Sequence, residues 1–195
     1  MEQRHFHRRN LPHLYYNGGE YFITYRLADS IPLKQILHLR EQIKLPNDDP
    51  TLKEKKIFVK YDELLDQNEN GLKYLSDEKI AGINQEKLHS LDNTVYKLIC
   101  YCIMPNHVHL VFRLLSEVHT VSDVMKLIKG STARECNQVL MKTGKFWQVE
   151  SFDRLIRDAN EMYNIINYVL NNPVKAGLVS KPEDWKYSYF NSDFF

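Results

Sequence analysis

The chain has 195 residues and a mass of 23.2 kDa, with 26 Lys and Arg against 25 Asp and Glu and a formal net charge of +1 at pH 7. A mean hydropathy of −0.48 with no long uncharged apolar run argues against a membrane span, and the opening Met1-Glu2-Gln3-Arg4-His5-Phe6 lacks the apolar stretch of a secretory signal. The hydrophobic fraction of 43%, with 9 Phe, 12 Tyr and 2 Trp, suffices for one packed core. Residues 1–195 are therefore expected to form a single domain, with a basic N-terminal arm (1–14) and an acidic insertion or lid (about 46–93).

In chain order, Arg4, Arg8 and Arg9 make the arm basic. Tyr15-Tyr16-Asn17-Gly18-Gly19-Glu20 is a turn signal, and the run from Tyr21 to Leu27 reads as a strand. Pro32 suits the start of a helix through about Ile43. The next stretch is acidic (Asp48, Asp49, Glu54, Asp62, Glu63, Asp66, Glu69, Asp77, Glu78), with short helical pieces at Asp62–Leu65 and Ser76–Ile83. Val95 to Ile103 reads as a buried strand, Met104-Pro105-Asn106 as the turn, and His107 to Leu115 as the antiparallel return. Val121 to about Met141 is predicted helical, with Gly130 a candidate interruption, and Phe146-Trp147-Gln148-Val149 a short strand. A last helix is predicted from about Asp158 to Asn172, with Asp158 and Glu161 at capping-box spacing and Pro173 ending it. This order predicts an α+β fold: a ferredoxin-like antiparallel sheet with helices packed on one face, plus the acidic insertion.

The chemistry-bearing run is Asn106-His107-Val108-His109-Leu110. Strand side chains alternate, so His107 and His109 share one face while Val108 and Leu110 enter the opposite layer. Three readings fit: satisfied core histidines, a structural zinc site completed by Cys100 and Cys102, or a catalytic metal site with an oxygen donor such as Asn172. For the zinc reading Cys102 would face His107 across the hairpin. The same spacing in His5-Phe6-His7 has no apolar strand behind it and reads as part of a phosphate-contacting or disordered arm. In the last helix Asn164, Tyr168 and Asn172 recur at i, i+4 and i+8 and share a stripe. By itself this admits Tyr168 as an amphipathic residue at the core rim. Cys100 and Cys102 are too close in one strand for a mutual disulfide, which suits a reducing cytoplasm.

Met104-Pro105-Asn106-His107-Val108-His109-Leu110 together with Tyr168-Val169-Leu170-Asn171-Asn172-Pro173-Val174-Lys175-Ala176-Gly177-Leu178-Val179 resembles the single-tyrosine HUH transposases, most closely the REP-associated tyrosine transposases. Gly18 to Thr24, Phe146-Trp147-Gln148 with Ser151-Phe152-Asp153-Arg154, and Trp185-Lys186-Tyr187-Ser188 agree with that pattern. The likeness covers most of the chain outside about 46–93. The resemblance implies a Mg²⁺ or Mn²⁺ ion held by His107 and His109 with help from Asn172, and Tyr168 as nucleophile. It also implies single-strand DNA cleavage and rejoining through a 5′-phosphotyrosine bond. The partner would be single-stranded or hairpin DNA, and the protein a monomer or homodimer. Candidate DNA contacts are Arg4, Arg8, Arg9, Gly18, Gly19, Lys126, Lys129, Arg134, Arg154 and Arg157. Two alternatives stay open on the sequence: a domesticated DNA-binding regulator without strand transfer, and a structural zinc protein.

Overall fold

A computed structural model describes residues 5–8, 12–32, 34–35, 38, 59–66, 71–115 and 117–194, and for 5–8 and 12–15 the backbone alone. The basic arm forms a hairpin of β1 (His5–Arg8) and β2 (Pro12–Tyr15), a two-stranded sheet where the sequence suggested irregular chain. The main sheet contains β3 (Glu20–Arg26), β4 (Tyr96–Ile103), β5 (His107–Leu114), β6 (Phe152–Leu155) and β7 (Ser188–Phe190). Its order is β6-β3-β5-β4-β7 with every pairing antiparallel.

The helices are α1 (residues 59–66), α2 (Glu78–Ser90), α3 (Val121–Val139) and α4 (Ala159–Lys175). With β7 set aside, the order of β6, β3, β5 and β4, linked through α2 and α3, is the ferredoxin-like arrangement. The helix that precedes β4 is α2, which lies within the acidic segment and gives Ile80, Ala81 and Leu88 to the core. That part of the segment is therefore a structural layer of the fold. Of the helix expected over Pro32–Ile43, residues 34, 35 and 38 are helical, and the remainder lies outside the described residues.

Pleat alternation builds two apolar layers. Tyr21, Ile23 and Tyr25 of β3 and Val108, Leu110 and Phe112 of β5 face α2 and α3. Phe22 of β3 and Val111 of β5 face Met162, Ile166 and Val169 of α4. The expectation of helices on one face holds for α2 and α3, while α4 covers the other. A register shift between Leu98 and Cys100 changes the parity of β4. Leu98 thus joins the α2/α3 layer, and Cys100 and Cys102 join the α4 layer. Among the described residues no helix is long and apolar enough to cross a membrane.

Three local differences from the sequence reading have clear causes. Thr120 caps α3, accepting from Asp123 N–H at 3.2 Å while Asp123 accepts from Thr120 N–H at 3.1 Å, and the helix runs unbroken through Gly130. Phe146–Val149 supplies one isolated bridge, Leu27 to Trp147, and the strand that pairs with β3 comes later, at β6. Trp147 is core, edge-on to Tyr25 at 4.8 Å and donating to Thr132 Oγ1 at 2.9 Å. Pro173 does not stop α4. The helix ends at Gly177 (φ 69°), where Gly177 N–H reaches Val174 O at 3.0 Å and Leu178 N–H reaches Pro173 O at 2.9 Å, a Schellman closure. The buried Pro173 ring packs within α4, which goes without one intrahelical bond there.

Candidate metal and nucleophile site

β5 presents His107 and His109, 1% and 0% exposed, to α4, and their Nε2 atoms lie 3.1 Å apart. The other nitrogen of each ring has a partner. His107 Nδ1 lies 2.6 Å from Asn106 Oδ1, and Asn106 Nδ2 donates to Leu65 O at 2.9 Å. Because a backbone carbonyl only accepts, the Asn106 amide has one orientation, and His107 Nδ1 must donate to its oxygen. His107 Nε2 is then a bare lone pair. His109 Nδ1 meets Thr24 Oγ1 at 2.8 Å, from the residue directly opposite on β3. Burial, and next the neighbouring His109, push His107 down to about 3, so it is neutral at pH 7.

α4 places Tyr168 and Asn172 one turn apart over these rings. Tyr168 packs edge-on to His109 at 5.5 Å, and Asn172 Nδ2 donates to His109 Nε2 at 2.9 Å. Asn164, the third member of the stripe, is exposed and plays no part in this cluster. Asn172 is 1% exposed, and among the described residues its Oδ1 has no hydrogen-bond partner.

The residue that the sequence reading missed is Asp62. It enters from α1, 1% exposed, with Oδ1 3.3 Å from His109 Nε2 and 3.9 Å from His107 Nε2. Oδ2 accepts the hydrogen bond of the Tyr168 hydroxyl and lies 3.4 Å from Lys175 Nζ. α1 is docked by buried Leu65, by the Asn106 bond to Leu65 O, and by Arg26, which donates to the Tyr61 hydroxyl. Burial alone pushes the Asp62 carboxyl up, but His109, His107 and the Tyr168 hydroxyl outweigh it and hold the group well below the usual range. Tyr168 moves the opposite way: burial and then the Asp62 charge raise it far above an ordinary phenol, so it carries its proton. Asp62 and Asp66, spaced i, i+4 around Leu65, were the only trace of this in the sequence.

The donor set suits a divalent ion. Two nitrogens facing each other at 3.1 Å, with Asp62 Oδ1 and Asn172 Oδ1 buried nearby and, among the described residues, without hydrogen-bond partners, gather electron-pair donors in one place. Donors about 2.1 Å from one ion and at right angles lie about 3.0 Å apart, matching the nitrogen separation. Among the described residues the metal-competent group is Asp62, His107 and His109. Cys100 and Cys102 are outside it, which removes the four-ligand zinc arrangement. Register pairs Cys102 with His109 and not with His107, Cys102 Sγ turns to Met104 Sδ at 3.6 Å, and burial pushes the thiol up to about 12.

The candidate DNA contacts separate into two groups. Lys126, Lys129 and Arg134 lie on α3, across the sheet from Tyr168. A groove of about 450 Å³ there takes Lys126 and Lys129, although Lys129 Nζ donates to Val149 O at 2.8 Å and burial pulls it down to about 8. A second groove, of about 540 Å³, brings Gly18 and Arg157 together with Arg113 and Tyr163 beside the start of α4. Gly18 adopts φ 77°, and a Cβ on Gly19 would meet the Tyr21 hydroxyl at 2.6 Å, so both glycines serve a tight turn. Arg154 is paired with Glu161. Arg8 lies in β1, and Arg4 and Arg9 fall outside the described residues.

Residues 72–172 match the family model described as transposase, IS200-like. The match begins at residue 72, so the end of the acidic segment, including α2, belongs to the family domain. A Haemophilus influenzae protein assigned as a REP-associated tyrosine transposase is 31% identical over 107 residues, covering 50% of this chain and 61% of the relative. The Escherichia coli REP-associated tyrosine transposase is 24% identical over 98 residues, 50% of this chain and 56% of its own length. The chain thus spans less than two thirds of either relative. The solved structure of a REP-associated tyrosine transposase bound to a REP hairpin superposes with a TM-score of 0.52 at 19% identity, covering 93% of this chain and 80% of that one. That likeness shows a common fold.

Proposed function

The chain belongs to the IS200-like transposase family, and from that premise we propose that it cleaves and rejoins single-stranded DNA through a covalent bond to Tyr168. The observation that carries the reading is the convergence of Tyr168, Asp62, Asn172 and the two imidazoles within one chain. His107, His109 and Asp62, with Asn172, would hold Mg²⁺ or Mn²⁺, both of which accept oxygen donors, manganese taking imidazole more readily. When bound, that ion supplies positive charge that polarises a scissile phosphate.

The chain's own residues do the rest. Tyr168 Oη attacks phosphorus, the bond to the 3′ oxygen breaks, and the products are a 5′-phosphotyrosine and a 3′-hydroxyl. The phenol proton, held in the hydrogen bond to Asp62 Oδ2, is lost to water, and the leaving oxygen takes a proton back from water. A second 3′-hydroxyl reverses the step without ATP, because the phosphodiester energy is kept in the tyrosyl ester. Phe22 and His109 flank the Tyr168 ring and fix its direction of approach.

Hairpin DNA is the favoured substrate class, since a relative of the same fold was solved on a hairpin. The groove holding Gly18 and Arg157 and the basic face of α3 are the surfaces offered to it. A complete site within one chain supports the monomer over an obligate dimer, and free buried thiols at Cys100, Cys102 and Cys136 suit a reducing cytoplasm.

The test is a covalent-adduct assay with labelled single-stranded hairpin DNA and Mn²⁺. Wild type should form a denaturant-resistant adduct, and Tyr168→Phe should abolish it while still binding DNA. Adduct retained in that variant rejects the nucleophile, and binding without adduct in wild type favours a DNA-binding regulator.

A further inference from the structure

Lys175 is a cation that meets both Asp62 and the Tyr168 ring. Arg154 is committed to Glu161, and Arg113 to Glu20 at 2.6 Å. Lys175, two turns beyond Tyr168, points back along α4 and brings Nζ to 5.9 Å from the Tyr168 ring centroid. His107, His109 and Asp62 are all buried, but the Lys175 side chain is 47% exposed and can be reached from solvent. Its ammonium lies 3.2 Å from Asp66 Oδ2 and 3.4 Å from Asp62 Oδ2.

Asp66 is the unusual partner. Its side chain is 12% exposed, and among the described residues neither oxygen has a hydrogen bond beyond this ion pair. A carboxylate held so sparsely is costly to keep out of water, which makes the pair easy to exchange for a better-solvated alternative. The charge balance says what would exchange it. Two carboxylates outnumber one ammonium and repel a phosphate. A divalent ion and Lys175 together reverse the balance and leave room for one more negative charge beside the Tyr168 hydroxyl.

Resting on the strand-transfer reading above, we propose that Lys175 seats a non-bridging oxygen of the phosphate that Tyr168 attacks, and that Asp66 holds the ammonium in that position until DNA arrives. Asp66 is thus a tethered anion occupying the place of the substrate, and DNA entry is a swap of one anion for another at a fixed cation.

The experiment measures binding of a labelled oligonucleotide, a hairpin with single-stranded flanks, by fluorescence anisotropy with Mn²⁺ across a salt series. It uses Tyr168→Phe as background to stop chemistry. Adding Lys175→Ala should weaken binding about tenfold and flatten the log affinity against log salt plot by about 0.7, the value of one phosphate contact on single-stranded DNA. Lys175→Arg should restore most of both. Asp66→Asn should tighten binding severalfold. An unchanged salt slope in Lys175→Ala, or weaker binding in Asp66→Asn, overturns the proposal. The two readings fail separately. Wild type that forms adduct while these shifts are absent loses the phosphate seat alone. Shifts present without any wild-type adduct lose the nucleophile and keep the seat, and no DNA binding at all overturns both.

Discussion

Replacing Thr24 by Val tests whether the protein sets the proton positions of its metal donors. Thr24 and His109 are directly opposed on β3 and β5, both buried, with Oγ1 2.8 Å from Nδ1. Valine keeps the shape and deletes the oxygen. If His109 Nδ1 donates to Thr24, the substitution strands a buried N–H, at about 1–3 kcal/mol for an unsatisfied donor. The ring can escape by moving its proton to Nε2, where Asp62 Oδ1 waits 3.3 Å away. An ion must then displace that proton, and loss of such an outer partner typically lowers metal affinity about 10- to 100-fold. Mn²⁺ titration followed by electron paramagnetic resonance reads the affinity, and urea unfolding reads the stability. We expect stability down by about 1 kcal/mol, less than the stranded-donor maximum because of the tautomer shift, and affinity down at least tenfold. Thr24→Ser should restore both. Affinity within threefold of wild type in Thr24→Val would refute the assignment of His109 Nε2 as a bare donor fixed by Thr24.

Two further predictions concern the frame. The Asp123 carboxyl, bonded first by Lys126 and then by Thr120, is lowered to about 2, so its contribution is complete above the ordinary carboxylate range and is lost as pH falls from about 4 through 2. Because the side chain is partly exposed, Asp123→Asn should cost only about 0.5–1 kcal/mol at pH 7, with the difference from wild type vanishing near pH 2 in parallel urea titrations. A difference undiminished between pH 7 and pH 2 would place the effect outside the cap. Gly19→Ala should force the Tyr21 hydroxyl away from Tyr16 N–H, which it now accepts at 2.9 Å, and lower stability by about 1–3 kcal/mol. An unchanged unfolding midpoint would show that the Tyr21 ring yields freely.

What could be read from the sequence was whatever depends on local periodicity. Two-residue alternation put His107 and His109 on one face, and four-residue spacing put Tyr168 above Asn172, because both rules act within one element. What escaped depends on elements meeting. The bulge at Leu98/Cys100 decides which face Cys102 shares, and no run of residue types announces it. Asp62 sits more than forty residues before the histidines, in a stretch whose acidity resembled a solvated surface. The docking of Leu65 beneath Asn106 and the Arg26 bond to Tyr61 turn that helix inward. Pro173 misled because proline's bias against helical geometry in the residue before it is a preference and not a prohibition, and Asn172 stays helical.

Asn106 makes two bonds with one amide, its nitrogen to Leu65 O and its oxygen to His107 Nδ1. The first bond is the reason the second can have only one polarity. The amide therefore works as a logic gate: a docked α1 fixes which end of His107 carries the proton, and so which end is free to hold an ion. Placement of the Asp62 carboxylate and polarity of the His107 imidazole thus depend on the same docked helix.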